Sequence, residues 1–68
     1  MLDIKALEKT ESKRTYYFPG GETVVLTNVT HFLARESGTH RMKTGDGKLH
    51  IVAAGWLRIE IEAEGFSL

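Results

Sequence analysis

The chain has no cysteine, which excludes disulfide bridges and thiolate zinc sites from whatever holds it together. It has no net charge either. Nine lysines and arginines balance nine aspartates and glutamates, so no global field draws it to nucleic acid or to an anionic membrane. No apolar run approaches the length of a membrane span, and the first residues carry no apolar segment of the kind that opens a secretion signal. A soluble protein of the cytoplasm is therefore expected, and the lack of cysteine fits a reducing compartment. With 68 residues there is room for one domain only, and a chain so short buries a small fraction of its surface. Since disulfides are excluded, the expected supplement is a second subunit, joined through strand edges in a homo-oligomer.

What the chain does have is Gly-rich turns between short alternating runs. Residues 14–18 (R-T-Y-Y-F) are rich in aromatic and β-forming side chains and end at Pro19-Gly20-Gly21, a turn that leads into the strand-like 22–27. Residues 1–7 alternate weakly, and the polar, charged 8–14 read as a connection. Residues 29–36 admit two readings. A helix would have Asn28 as its N-cap and Gly38 beyond its end, whereas a strand avoids a helix of about two turns that depends wholly on packing, and the strand is preferred. Residues 56–63 (W-L-R-I-E-I-E-A) alternate strictly, predicting a half-buried strand with Leu57, Ile59, Ile61 and Ala63 inward and Trp56, Arg58, Glu60 and Glu62 outward. A bend at Ala54-Gly55 precedes it, and the tail Gly65-Phe66-Ser67-Leu68 is expected to dock through Phe66. Five to six strands with little helix predict a mainly β fold, a small antiparallel barrel or curled sheet of SH3-like or OB-like kind.

The clearest turn is Thr44-Gly45-Asp46-Gly47-Lys48. With Asp46-Gly47 as a two-residue loop, Gly45 faces Lys48, Thr44 faces Leu49, Lys43 faces His50 and Met42 faces Ile51. The alternative loop, Gly45-Asp46, sets Lys43 against Lys48, an unfavourable like-charge pair. Both registers place Met42, Leu49 and Ile51 on one face and Arg41, Lys43 and His50 on the other. The charges are unevenly spread: residues 35–50 hold Arg35, Arg41, Lys43 and Lys48 against Glu36 and Asp46, and Glu60, Glu62 and Glu64 crowd the end.

Three groups of residues are candidates for a site. Ser37-Gly38-Thr39-His40-Arg41 offers backbone N–H groups at a bend, two hydroxyls and a guanidinium fork, the donors a phosphate or carboxylate takes; the plain reading is an ordinary strand connection. Trp56, outward by parity, either stacks a flat ligand or packs on a core or subunit. His31, His40 and His50 lack a third ligand at metal-binding spacing, and parity sets His40 and His50 on opposite faces, so no metal or other cofactor is expected. No nucleophile has a base and an orienting carboxylate near it, which argues against an enzyme.

The runs S-G-T-H-R (37–41), T-G-D-G-K-L-H-I-V (44–52) and G-W-L-x-I-E-I (55–61), within about half of the chain, resemble small phage and prophage accessory proteins of unassigned activity. That resemblance implies a setting in the host cytoplasm and binding to host molecules; one such class, the anti-defence sponges, forms small oligomers that trap signalling nucleotides. No site residue is carried over from it. The expected function is a non-enzymatic, homo-oligomeric module that sequesters a small phosphate-bearing ligand such as a nucleotide. In it Arg41 and Lys43 meet phosphate, Ser37 and Thr39 add hydrogen bonds, Trp56 stacks the base, and His40 and His50 lie alongside. Two alternatives stand beside it. One is a single-stranded nucleic-acid binder stacking bases on Tyr16, Phe32 or Trp56, and the other is an adaptor that blocks a host protein through a β edge.

Overall fold

The computed structural model describes residues 4–64; the alternation read in the first three residues and the tail with Phe66 lie outside them. Its strands are β1 (Lys5–Tyr17), β2 (Thr23–Ala34), β3 (His40–Thr44), β4 (Leu49–Val52) and β5 (Arg58–Glu62), with one short 3-10 turn over Pro19–Gly21. All pair antiparallel in a single sheet ordered β4-β3-β2-β1-β5. The fold is mainly β as expected. The sheet does not close into a barrel: β4 and β5 are its two ends, with no ladder between them. Among the described residues no helix is long and apolar enough to cross a membrane.

β1 and β2 are the two longest strands; β1 runs through a segment that composition reads otherwise, and β2 through the segment for which the strand is preferred. Residues 8–14, expected as a connection, belong to β1 because two of their charges, Glu11 and Arg14, turn inward and pair with each other. Residues 29–34 continue β2 as a strand, joined to 23–27 across Asn28 at φ 54. At that point strict alternation fails on both strands. Leu26 and Val29 on β2, and Glu11 and Arg14 on β1, are all buried although three positions apart, where a regular strand buries every second residue. Thr30 is then an extra residue against β3, since Val29 faces Thr44 while His31 faces Lys43. Such irregularities bend a strand, and here they bend the sheet around its buried face.

That face holds a small core of Tyr16, Leu26, Val29, Met42 and Val52, against which Leu7, Phe18, Val24, Phe32, Trp56 and Ile59 pack. The β1–β2 turn follows its sequence closely: Gly20 and Gly21 both sit at φ +86, a conformation that residues with a Cβ rarely adopt, after a proline that fixes the entry.

Candidate functional site

The hairpin of β3 and β4 decides which side chains share a surface. The Gly47 N–H donates to the Thr44 carbonyl at 2.9 Å and the Thr44 N–H to the Lys48 carbonyl at 3.1 Å, with Gly47 at φ +84. The loop therefore has three residues, Gly45-Asp46-Gly47, and ends in a left-handed glycine. Asp46 holds it: one carboxylate oxygen accepts both the Thr44 hydroxyl and the Lys48 N–H. The Thr44 bond first, and the Lys48 N–H second, keep that exposed carboxyl below the usual aspartate range.

One extra loop residue turns all of β4 over. Lys43 faces Leu49, Met42 faces His50, Arg41 faces Ile51 and His40 faces Val52. The expected pairs Lys43 with His50 and Met42 with Ile51 are thereby corrected. So is the expected grouping of faces. His40 and His50 lie on the same, inner side with Met42 and Val52, while Leu49 and Ile51 stand outward, each 56% exposed.

Two cross-strand rows result on the outer face, His31, Lys43 and Leu49 in one and Leu33, Arg41 and Ile51 in the other. Neither row contains a carboxylate. Arg41 stands between two aliphatic neighbours, and its Nε is buried with no hydrogen-bond partner. Beyond Ile51 the surface dips into a cleft of about 290 Å³ lined by Phe18, Val24, Ile51, Val52 and Ala53, with Glu22 and Thr23 at the same cleft.

The inner face carries a different cluster. Arg14 donates to both Glu11 carboxylate oxygens at 2.7 and 2.9 Å and to the Tyr16 hydroxyl at 3.0 Å. The Tyr16 hydroxyl lies 2.7 Å from His40 Nδ1. Arg14 also sits 4.5 Å from the centre of the Phe32 ring, a favourable cation–π contact. Burial opposes the charge on Arg14, but the bonds to Glu11 and Tyr16 outweigh it and raise its pKa. Burial also raises the Tyr16 phenol, against the pull of Arg14. His40 is pushed the other way, below the usual imidazole value, by burial and then by the Arg14 charge. A neutral His40 accepts the Tyr16 proton while Tyr16 accepts from Arg14, which satisfies the chain of donors.

The groups facing His40 are Tyr16 and Arg14 from β1, Phe32 from β2 and Trp56, whose ring centre is 5.2 Å away. None of them is an anion in contact with it. The linkage follows: above the ordinary histidine pKa of about 6.5 the ring is neutral in both folded and unfolded chains and contributes no slope. Below it the unfolded chain takes up a proton that the folded chain refuses. Stability is thus expected to fall as pH drops from that value toward the lower folded one. Urea midpoints measured across that window check this, and His40→Phe is expected to flatten the profile by one proton.

Trp56 does not stand outward with Arg58 and the glutamates. Regular pairing starts only at Arg58, because Gly55 at φ +112 breaks the alternation, and the Leu57 N–H bonds the Tyr17 carbonyl at 2.7 Å. Trp56 is half-buried against Tyr16 and His40, its Nε1 buried and unpartnered, and Leu57 instead is 70% exposed. Ile59 and Ile61 do point inward, each half-buried. Ser37 and Thr39 lie in the β2–β3 loop, their hydroxyls 3.0 Å apart, and the adjoining cavity of about 370 Å³ has Glu36 in its wall beside Arg35 and Ser37.

The expected residues are thus spread over three places. His40, His50 and Trp56 belong to the inner side, Arg41 and Lys43 to the outer, and Ser37 and Thr39 to a loop. Among the described residues no three His, Asp or Glu side chains gather closely enough to share a metal ion. Sequence reading missed Glu11, Arg14 and Tyr16 as a buried network, and His31, Leu33, Leu49 and Ile51 as outer-face neighbours of the cations. A signal for the second group is present in G-D-G itself, since a glycine after Asp is what a three-residue hairpin loop asks for. No protein family, no curated protein and no solved structure matches the chain.

Proposed function

We propose that the protein is a non-enzymatic binding module whose partner is another protein, engaged on the outer face of the β2-β3-β4 end. One observation carries this: Arg41, set between Leu33 and Ile51 in a cross-strand row without a carboxylate, has a buried guanidinium nitrogen with no acceptor. A buried donor left unmet costs free energy until something supplies an oxygen. The surrounding chemistry selects the partner. Small ligands prefer concave sites, and this is an open sheet face. Bases prefer aromatic platforms, and the apolar members here are aliphatic. An acidic segment with aliphatic side chains meets both rows, Lys43 and Arg41 taking its carboxylates and Leu33, Leu49 and Ile51 its apolar groups.

Of the functions the sequence suggests, this favours the adaptor over nucleotide sequestration, because the cations and the indole lie on opposite sides of the sheet. The resemblance to phage accessory proteins extends the same reading, a host protein of the cytoplasm being the partner it implies. The finer fold in this proposal is SH3-like rather than OB-like, supported by a meander order in which β5 returns beside β1. Titration followed by amide NMR, with a synthetic acidic–aliphatic peptide, a nucleotide panel and an oligothymidylate as probes, tests it. The peptide is expected to shift Arg41 and residues 49–52, and Arg41→Ala to weaken binding by at least about tenfold. Nucleotide binding that moves Trp56 and His40, with no peptide response, overturns it.

A further inference from the structure

The bonding pattern of the β3–β4 hairpin leaves an open ladder on β4. Bonded and non-bonded positions alternate along an antiparallel pair, and the Thr44 N–H bonds the Lys48 carbonyl at 3.1 Å. Counted from there, Met42 with His50 and His40 with Val52 are bonded pairs, while Lys43 with Leu49 and Arg41 with Ile51 are not. The backbone N–H and C=O groups of Leu49 and Ile51 therefore turn to the outer edge of β4, where no strand pairs with them among the described residues. Their side chains are each 56% exposed. An edge that offers open backbone groups and apolar side chains at the same positions accepts a further strand.

We infer that a second copy of this chain pairs antiparallel with β4 about a two-fold axis at His50, so that Leu49 of each copy faces Ile51 of the other. In that register the edge is complementary to itself. The open groups of Leu49 bond those of Ile51 in the second copy, and the reverse, which uses every open position of β4. A slide of one residue sets inner positions against outer ones. A slide of two brings Gly47 of the loop, or Ala53 beyond the strand, into the ladder instead. The side chains agree with the backbone. Leu49 and Ile51 make aliphatic cross-strand pairs on the outer face, and His50 meets its own copy on the inner one. Val52 then faces Lys48 of the second copy, and Val52 lines the cleft of about 290 Å³ that also has Glu22 in its wall. An ammonium arrives beside a carboxylate there, twice by symmetry. The other end of the sheet does not match itself in this way. A two-fold axis at Glu60, the midpoint of β5, sets that glutamate directly against its own copy, an unfavourable like-charge pair.

Such an interface is isologous and closes as a dimer, with no edge left to propagate it through β4. It is also small. A strand of four residues stays below the ~1,200 Å² of a stable specific interface, so the association is weak and concentration-dependent. The pairing uses the edge of β4 and goes beyond the docking proposed for the outer face, which it leaves open. Across the axis the row of Lys43 and Leu49 runs on into Ile51 and Arg41 of the second copy, so the dimer presents that outer surface twice.

Sedimentation velocity on the full chain, from micromolar to millimolar concentration, tests this with Leu49→Lys, Ile51→Glu and the two combined in one chain, all at exposed positions outside the core. Wild type is expected to approach twice the monomer mass and go no further. Each single variant loses an aliphatic pair on both sides of the axis and is expected to weaken association by about tenfold. The combined variant is expected to recover it, because the register sets each new lysine opposite a new glutamate. Amide hydrogen exchange followed by NMR reads the ladder in the unaltered chain. Exchange at Leu49 and Ile51 is expected to slow as concentration rises, while His50 and Val52, whose amides already face β3, stay as they are. Wild type that remains monomeric or grows past a dimer, single variants that associate as wild type does, a combined variant no better than the singles, or exchange at Leu49 and Ile51 that ignores concentration overturns the inference. The acidic–aliphatic peptide separates this from the proposed function. A peptide that shifts Arg41 of a protein that stays monomeric leaves the docking face standing and removes the dimer; a dimer that ignores the peptide does the reverse.

Discussion

Replacing Glu11 with alanine is expected to destabilise the fold by about 3–5 kcal/mol, the cost of stranding one partner of a buried ion pair. Glu11 and Arg14 are 5% and 6% exposed, and the carboxylate takes both of its bonds from that guanidinium. Without it, Arg14 keeps a charge facing Tyr16 and Phe32 with no anion to meet it. A small domain holds only about 5–15 kcal/mol in total, so most of the margin is at stake. Replacing both residues by apolar ones of similar size, as in Glu11→Leu with Arg14→Met, is expected to recover most of the loss, because the desolvation of two charges disappears along with their attraction. Equilibrium urea unfolding followed by far-UV circular dichroism checks both. A loss below about 1 kcal/mol for Glu11→Ala, the range of an exposed pair, would show that water reaches this pair.

The second large effect is expected at Tyr16, which is fully buried at the centre of the core and contacts Arg14, His40 and Met42 through one hydroxyl. Two substitutions separate its roles. Tyr16→Phe removes the oxygen and leaves the ring, and it is expected to cost about 1–3 kcal/mol because Arg14 loses an acceptor and His40 a donor inside the protein. Tyr16→Ala also empties the space between Trp56, Val24 and Met42, for a total of about 3–5 kcal/mol, as for other large aromatic truncations. The same unfolding experiment reads both. If the two variants are equally destabilised, the hydroxyl network rather than the ring is what the core depends on. If Tyr16→Phe is neutral, the network contributes nothing net.

Both effects arise at residues that pattern reading assigns poorly, and the reason is physical. Alternation identifies a strand when one face is apolar, as it does for 58–62 with Ile59 and Ile61 turned in. β1 hides its periodicity because its inward positions include Glu11 and Arg14, which are polar and pair with each other. A single sequence offers no means of knowing that two charges three apart neutralise one another indoors. The hairpin shows a second kind of limit. Its existence follows from T-G-D-G-K, but both registers read from the sequence assume a two-residue loop, and a difference of one residue exchanges the faces of Leu49, His50 and Ile51. Trp56 shows a third. Its parity holds only along a regular strand, and Gly55 breaks the regularity three residues before β5 begins.

The sequence by itself determined the class of fold, the absence of disulfides, and the turns at 19–21 and 44–48. Those depend on local stereochemistry, on proline and on glycines at positive φ, and on propensity summed over a few residues. Tertiary structure alone decided which side chains share a surface. That choice is made by the left-handed turn of the backbone at Asn28, by the bulge at Thr30 and by one extra loop residue at Gly45-Asp46-Gly47, in a lattice whose side chains alternate every residue. So the cations at 41 and 43 were legible as residues, but their aliphatic neighbours, and the tryptophan on the far side of the sheet, were not.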